Sequence, residues 1–427
     1  VDNPTHVTGD HTGIAFPVSF AVLEEGGASA LTTLFRQMEA ISADNAVTAI
    51  VRWKEFFGGG MGRKVAIDVT YARDEGAPTR LFAKFTREFG DPLRELFSPV
   101  MDPEVRFALL SRRPGFPLRV PRCMFGDYSA EFKTGLLITE RIPYGLEGIE
   151  PALEKCVDYE LADPLPYYEA QARAIAALAA YHRAGHFGDE IDQEFPFNPA
   201  DDALLKVIPY DQAQLQTKLE KLKDFAARAP QLLPDGLADP AFLDEFAAGA
   251  AQVLAKEETI WRRLYARRDA IALVHWNMNP DNAWFWRDED GVMQSGQLDW
   301  GGVAQANIAQ SYYGMLCAGE ADFLARHDAD LQALLLSEYE RQGGPKLDAA
   351  AFDEDLKLAI AVLGTAWMLD APSLLEAELP DYADLTDRTD PRLRALFIPR
   401  CQLQLLTVFL SEWRRKNIGE TVDRLPG

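Results

Sequence analysis

"LVHWNMNPDNAWFWRDEDGVMQSGQLDWGG", residues 273–302, reads strand, loop, strand, turn, strand, and this reading decides the fold. His275 is followed two residues on by Asn277 and seven on by Asn282, and Asp299 comes after an intervening hairpin. Polar residues bracketing buried strands need a reason, because an unpaired buried polar group is costly. An Asn side-chain oxygen and an Asp carboxylate are hard ligands of the kind Mg²⁺ takes. Asn282 and Asp299 are therefore the candidate metal residues. The aromatics of "NAWFWR" read as core rather than as a ligand cage.

Upstream, residues 1–27 read as an irregular N-terminal arm, followed by a helix over "ASALTTLFRQMEAIS". Three strand-like segments come next, "VTAIVRWKEFF", "KVAIDVTYA" and "TRLFAKFTRE", joined by the turn-forming stretches "GGGMGR" and "RDEGAP". "MDPEVRFALLSRR" reads as a helix with Asp102 at its N-cap and Pro103 first inside it. Two more strands follow, "RVPRCMFGDYS" and "TGLLITERI". From about residue 144 helical periodicity takes over, as in "PYYEAQARAIAALAAYHRAGH", "YDQAQLQTKLEKLKDFAARA" and "PAFLDEFAAGAAQVLAKEETIWRRLYARRD". After Trp300 the chain reads as helical to near its end. The expected architecture is α+β: an arm (1–27), a β-rich lobe (28–143) and a mainly helical lobe (144–427).

The bulk numbers narrow the function. At 427 residues, 48% hydrophobic and 26% charged, the chain is long enough for a sizeable core. Its 43 basic and 66 acidic residues give a formal net charge of −23, which repels phosphate backbones and argues against nucleic acid. A small substrate is expected, and the acidic balance is compatible with a cationic one. The four cysteines, Cys123, Cys156, Cys317 and Cys401, form no C-x-x-C pair, so a disulfide framework is not expected and a reducing cytoplasm is. No apolar run of roughly 18 residues stands out, so no membrane span is expected. His182 and His186 have the i, i+4 spacing of a zinc pair, but no carboxylate lies between them.

The pattern H-x-N-x-x-x-x-N, then strand, turn and strand, then D-W-G, resembles the catalytic and metal segments of the protein-kinase-like fold. The strings "NPDN" and "LDWG" are most similar to its small-molecule branch, the aminoglycoside phosphotransferases and choline kinases. Other stretches agree in order: "GGGMGRKVAIDVTY" as the phosphate-covering hairpin, "RLFAKF" as the lysine strand, "PEVRFALL" as the paired helix and "LLITERI" as the strand into the hinge. The resemblance implies a two-lobed fold that uses ATP and Mg²⁺. It implies Lys84 on the α- and β-phosphates, Glu104 fixing Lys84, and backbone at Gly59 and Gly60 covering phosphate. Glu95 competes with Glu104 for that role, and a plain hairpin turn explains the glycines as well. His275 is expected to be structural.

Asn277 stands where this family carries the aspartate that accepts the proton of the attacking hydroxyl. An amide can orient that hydroxyl but cannot hold its proton near neutral pH. A positioned base contributes about 10²–10⁴ in rate. Asp281 is the nearest carboxylate that could act instead. The sequence thus points to an ATP-dependent phosphotransferase for a small hydroxyl compound, with two alternatives. One is a pseudokinase that binds nucleotide or ligand without transfer, and the other is a different transfer from ATP, such as nucleotidylation.

Overall fold

A computed structural model of the chain describes residues 3–56 and 62–426, with backbone only at 202 and 203. The chain divides into two compact units, Val1–Pro151 with Gly296–Val303, and Ala152–Ser295 with Ala304–Gly427.

The first unit holds β1 (His6–Thr8), β2 (Ala15–Pro17), α1 (Phe20–Gln37), β3 (Val47–Phe56), β4 (Arg63–Tyr71), β5 (Arg80–Phe85), α2 (Met101–Leu110), β6 (Cys123–Ser129) and β7 (Thr134–Glu140). The last five strands form one antiparallel sheet in the order β3-β4-β5-β7-β6. Burial alternates along β5, so Leu81, Ala83 and Phe85 enter the core beneath the sheet while Lys84 points to its other face.

Two expectations are corrected here. The first 27 residues are not an irregular arm: β1 and β2 pair as a hairpin and α1 already begins at Phe20. The reason lies far along the chain. The fully buried Asp127 accepts hydrogen bonds from the backbone N–H groups of His11 (3.1 Å) and Thr12 (3.0 Å), and Phe16 packs on Phe125 with ring centroids 5.8 Å apart. Asp102 is not the N-cap of α2, which starts one residue earlier and follows a 3₁₀ turn over Ser98–Val100. Asp102 sits in the first turn and meets His11 Nε2 at 2.7 Å.

The second unit holds α3 (Leu165–Arg183), α4 (Gln212–Arg228), α5 (Pro240–Ala255), α6 (Glu257–Ala266), β8 (Ile271–Val274), β9 (Ala283–Arg287), β10 (Met293–Gln297), β11 (Ala304–Asn307), α7 (Ile308–Leu316), α8 (Ala321–Arg341), α9 (Ala349–Trp367), α10 (Ala371–Glu378), α11 (Phe397–Arg415) and α12 (Ile418–Asp423). The chain leaves this unit within β10 and returns after Val303. α3 is alanine-rich where it is buried, which suits both helix propensity and close packing. A reciprocal capping box between Asp211 and Gln214 starts α4. β11 was not expected; it pairs antiparallel with β8 and so flanks the loop after Val274. The span Ala349–Glu378 is long and apolar enough to cross a membrane by length and composition, contrary to the sequence expectation, but 72% of its most apolar window is buried inside the protein.

The segment 296–303 also departs from the expected lobe boundary, since it belongs to the β-rich unit. Gly296 bridges to Arg119 in parallel register, Gln297 N–H donates to Arg119 O at 2.9 Å, and Trp300 stacks on Phe107 of α2 at 3.6 Å between centroids. Burying an indole against a helix decides which unit this segment joins.

Candidate functional site

In the first unit, β5 presents Lys84 and the first turn of α2 presents Glu104. Lys84 Nζ donates to Glu104 Oε1 at 2.6 Å and to Asp299 Oδ1 at 2.8 Å. The Lys84 and Glu104 side chains are 17% and 12% exposed, while Asp299 is 51% exposed. Burial alone would lower the Lys84 pKa, but the two carboxylates outweigh it and raise it, so the ammonium stays charged. Burial and the nearby Asp299 raise the Glu104 carboxyl, and Lys84 opposes that rise. Glu95 pairs instead with Lys133. Asp299 holds a left-handed backbone at φ +60, an uncommon conformation that aims its carboxylate at Lys84. Gly59 and Gly60 lie outside the described residues. Gly62, two residues on from Gly60, sits at φ +146, and a Cβ there would come within 2.0 Å of Phe85 O, so glycine lets the chain entering β4 approach β5 closely.

In the second unit, residues 275–282 form a loop whose polar groups bond to one another and to the elements around it. His275 Nδ1 accepts from Asn277 N–H (3.1 Å), and His275 O accepts from Ser311 Oγ (2.7 Å). His275 is buried and acts as a brace. Asn277 Oδ1 accepts from Asn279 Nδ2 (2.7 Å), and Asn277 O accepts from Asn282 Nδ2 (3.0 Å). That second bond orients the Asn282 amide, whose Oδ1 accepts from Lys155 Nζ at 2.7 Å. Lys155 Nζ also donates to Asp281 Oδ1 at 2.8 Å, and the Asp281 side chain is only 2% exposed. Gly314 of α7 lies against the loop; a Cβ there would meet Trp276 O at 1.9 Å. The loop borders a cavity of about 370 Å³ lined by Trp276, Asn277, Asp281, Tyr313, Trp367 and Phe397 among others. Its aromatic rim is about half exposed, with Trp276 at 48%, Trp367 at 47% and Phe397 at 52%. Such a volume and an apolar lining suit a small molecule.

No protein-family profile matches this chain, and no curated protein matches it. Among solved structures it is similar to a choline kinase from Cryptosporidium parvum Iowa II, at 12% identity and a TM-score of 0.43, covering 78% of this chain and 86% of that one. It is also similar to a microcompartment-associated aminopropanol kinase, at 12% identity and a TM-score of 0.44, covering 91% and 98% of the two chains. A macrolide 2'-phosphotransferase type I matches at 15% identity and a TM-score of 0.39, covering 86% and 95%.

The structure brings Lys84, Glu104 and Asp299 together in one unit. It brings Asn277, Asp281 and Asn282 together in the other. Asn282 and Asp299, expected as a metal pair, belong to different units. As donors for Mg²⁺, both already accept from a lysine ammonium, Asp299 from Lys84 and Asn282 from Lys155, and the half-exposed Asp299 carboxylate is the more accessible of the two. Of the two histidines at i, i+4 spacing, His182 Nδ1 accepts from Leu273 N–H at 3.0 Å and burial pushes its pKa down to about 4, while His186 packs on Tyr181. Lys155 was missed in the sequence. It lies 126 residues from Asp281, and "LEKCVDYE" has no local feature that singles it out.

Proposed function

We propose that the chain is an ATP-dependent, phosphotransferase-like protein acting on a hydroxyl of a small molecule. The observation that carries this reading is the largely buried Lys84–Glu104 pair, with the Asp299 carboxylate on the same ammonium. A permanently charged, positioned ammonium suits the α- and β-phosphates of a nucleotide, and Glu104 keeps it in place through a charge-assisted bond. Asp299 is the residue proposed to hold Mg²⁺, which when bound neutralises phosphate charge. Asn282 would join it only by giving up Lys155.

On the acceptor side, the apolar cavity beside Asn277 is the proposed place for the small substrate. Asn277 would orient the hydroxyl. Asp281 as found is held by Lys155 and buried, so it acts as a base only if that pair opens. A second reading, a pseudokinase, is favoured by one specific observation: the side-chain oxygens of Asn277 and Asn282 both already accept hydrogen bonds from within the unit. Nucleotidylation remains the third reading, in which metal and nucleotide matter more than the missing base.

The test is a thermal-shift titration with ATP and Mg²⁺ beside Asp299→Ala, followed by incubation with γ- and α-labelled ATP and a panel of alcohols. Stabilisation with transfer of the γ-label supports the phosphotransferase. Stabilisation without transfer supports the pseudokinase, and transfer of the α-label supports nucleotidylation. No stabilisation by nucleotide rejects the proposal.

A further inference from the structure

The four cysteines are scattered in the chain, yet three of them, Cys156, Cys317 and Cys401, line the cavity of about 370 Å³ beside the 275–282 loop. Two of these, Cys156 and Cys401, are neighbours although 245 residues apart in the chain. Cys401 Sγ also lies 3.6 Å from Lys155 O, the carbonyl immediately before Cys156. Cys401 is partly exposed in the second turn of α11 and lies beside Arg400, whose charge favours a thiolate. The neighbouring Cys156 thiol and Arg400 bring the Cys401 thiol down to about 7, although burial opposes this, while Cys156 is raised. Among the described residues no group of three or more His, Cys, Asp and Glu side chains could hold a metal ion. The pair therefore stands as a dithiol with one nucleophilic partner.

We propose that Cys156 and Cys401 are a redox site that reacts with low-molecular-weight disulfides to form an intramolecular disulfide. The Cys401 thiolate attacks one sulfur of glutathione disulfide, the S–S bond breaks, and glutathione thiolate leaves. Cys156 loses its proton to solvent and attacks the Cys401 sulfur of the mixed disulfide, and the second glutathione leaves as thiolate. Two protein thiols are oxidised to one disulfide while one glutathione disulfide is reduced to two glutathiones. The bond would tether the Lys155–Cys156 segment to α11. Lys155 is the residue that holds Asp281 and Asn282, so oxidation would pin that arrangement in the acceptor loop. The site does not depend on the phosphotransferase reading.

The test exposes the full chain to glutathione disulfide without nucleotide, blocks free thiols with iodoacetamide after denaturation, and maps peptides by mass spectrometry. A Cys156–Cys401 linked peptide that dithiothreitol removes is expected, with Cys123 and Cys317 alkylated. Cys401→Ser should abolish the link, and Cys156→Ser should leave a glutathione adduct on Cys401. Full alkylation of Cys156 and Cys401 in the wild type, or a link from Cys401 to another cysteine, would overturn the proposal. The wild-type map decides this even if a variant folds poorly.

Discussion

Lys155 donates from Nζ to Oδ1 of Asp281 at 2.8 Å, and this carboxylate has almost no other access to solvent. Removing the cation leaves a buried charge uncompensated. Lys155→Met should therefore lower unfolding free energy by about 1–3 kcal/mol, and adding Asp281→Asn should recover part of the loss. Urea unfolding of both variants checks this. A Lys155→Met protein as stable as the wild type would contradict a structural role for the pair.

The Lys84 cluster makes a second prediction. Asp299→Ala should remove most of the Mg²⁺-dependent part of any stabilisation by ATP. Glu104→Gln should weaken nucleotide binding while leaving Lys84 charged, because Asp299 still faces it. Calorimetric titration with ATP, with and without Mg²⁺, separates the two effects. Equal loss in both variants regardless of metal would argue that Asp299 only anchors Lys84.

Asn277→Asp tests the missing base. The aspartate would keep the acceptor for Asn279 Nδ2 and add a group able to take a proton. If phosphoryl transfer is the native chemistry, its rate should rise by about 10²–10⁴, or roughly 3–5 kcal/mol of barrier. An unchanged rate in a protein that binds nucleotide normally would mean that the loop does not position an acceptor hydroxyl.

Asp158 gives a pH prediction. Burial pushes its carboxyl up to about 7, against the opposing hydrogen bond from Tyr168 Oη at 2.5 Å. The folded state thus binds this proton where the unfolded chain, with an ordinary value of 3.8, has lost it. Stability should fall as pH rises from about 4 to about 7 and level off above that. The contribution is at most roughly 4 kcal/mol, from about three units at 1.36 kcal/mol each. Asp158→Asn should flatten the curve in that window, as read from denaturation midpoints; an unchanged pH profile would sink the assignment.

Cys401 should be the fastest thiol to alkylate in the native protein. Its rate should rise with pH through about 7, making it about tenfold faster at pH 8 than at pH 6. Burial holds Cys123 and Cys317 at about 12, so both should stay unreactive until the protein unfolds. Site-resolved iodoacetamide labelling checks the order, and a uniform rate across the cysteines would refute it.

The sheet strands from Val47 to Glu140 and the helices near 165–183 and 212–228 were legible in the sequence. Period-two or helical apolar spacing, turn residues and caps act over a few neighbours. Lys84, Asn277, Asn282 and Asp299 were legible as candidates for a related reason: each sits in a short motif of fixed local spacing. The choice of Glu104 over Glu95 was not, since either side chain has the right chemistry. The fold resolves it by directing Glu104 at Lys84 and Glu95 at Lys133.

Local pattern thus set most of the elements and named the candidate residues. Tertiary structure decided the pairings across long stretches of chain. Asp127 orders the first residues from 115 positions away, Phe107 captures Trp300, Lys155 reaches Asp281 and Asn282, and Cys156 meets Cys401. Each of these depends on burying a charge, a ring or a thiol beside one partner. That free energy exists only once the intervening chain has folded.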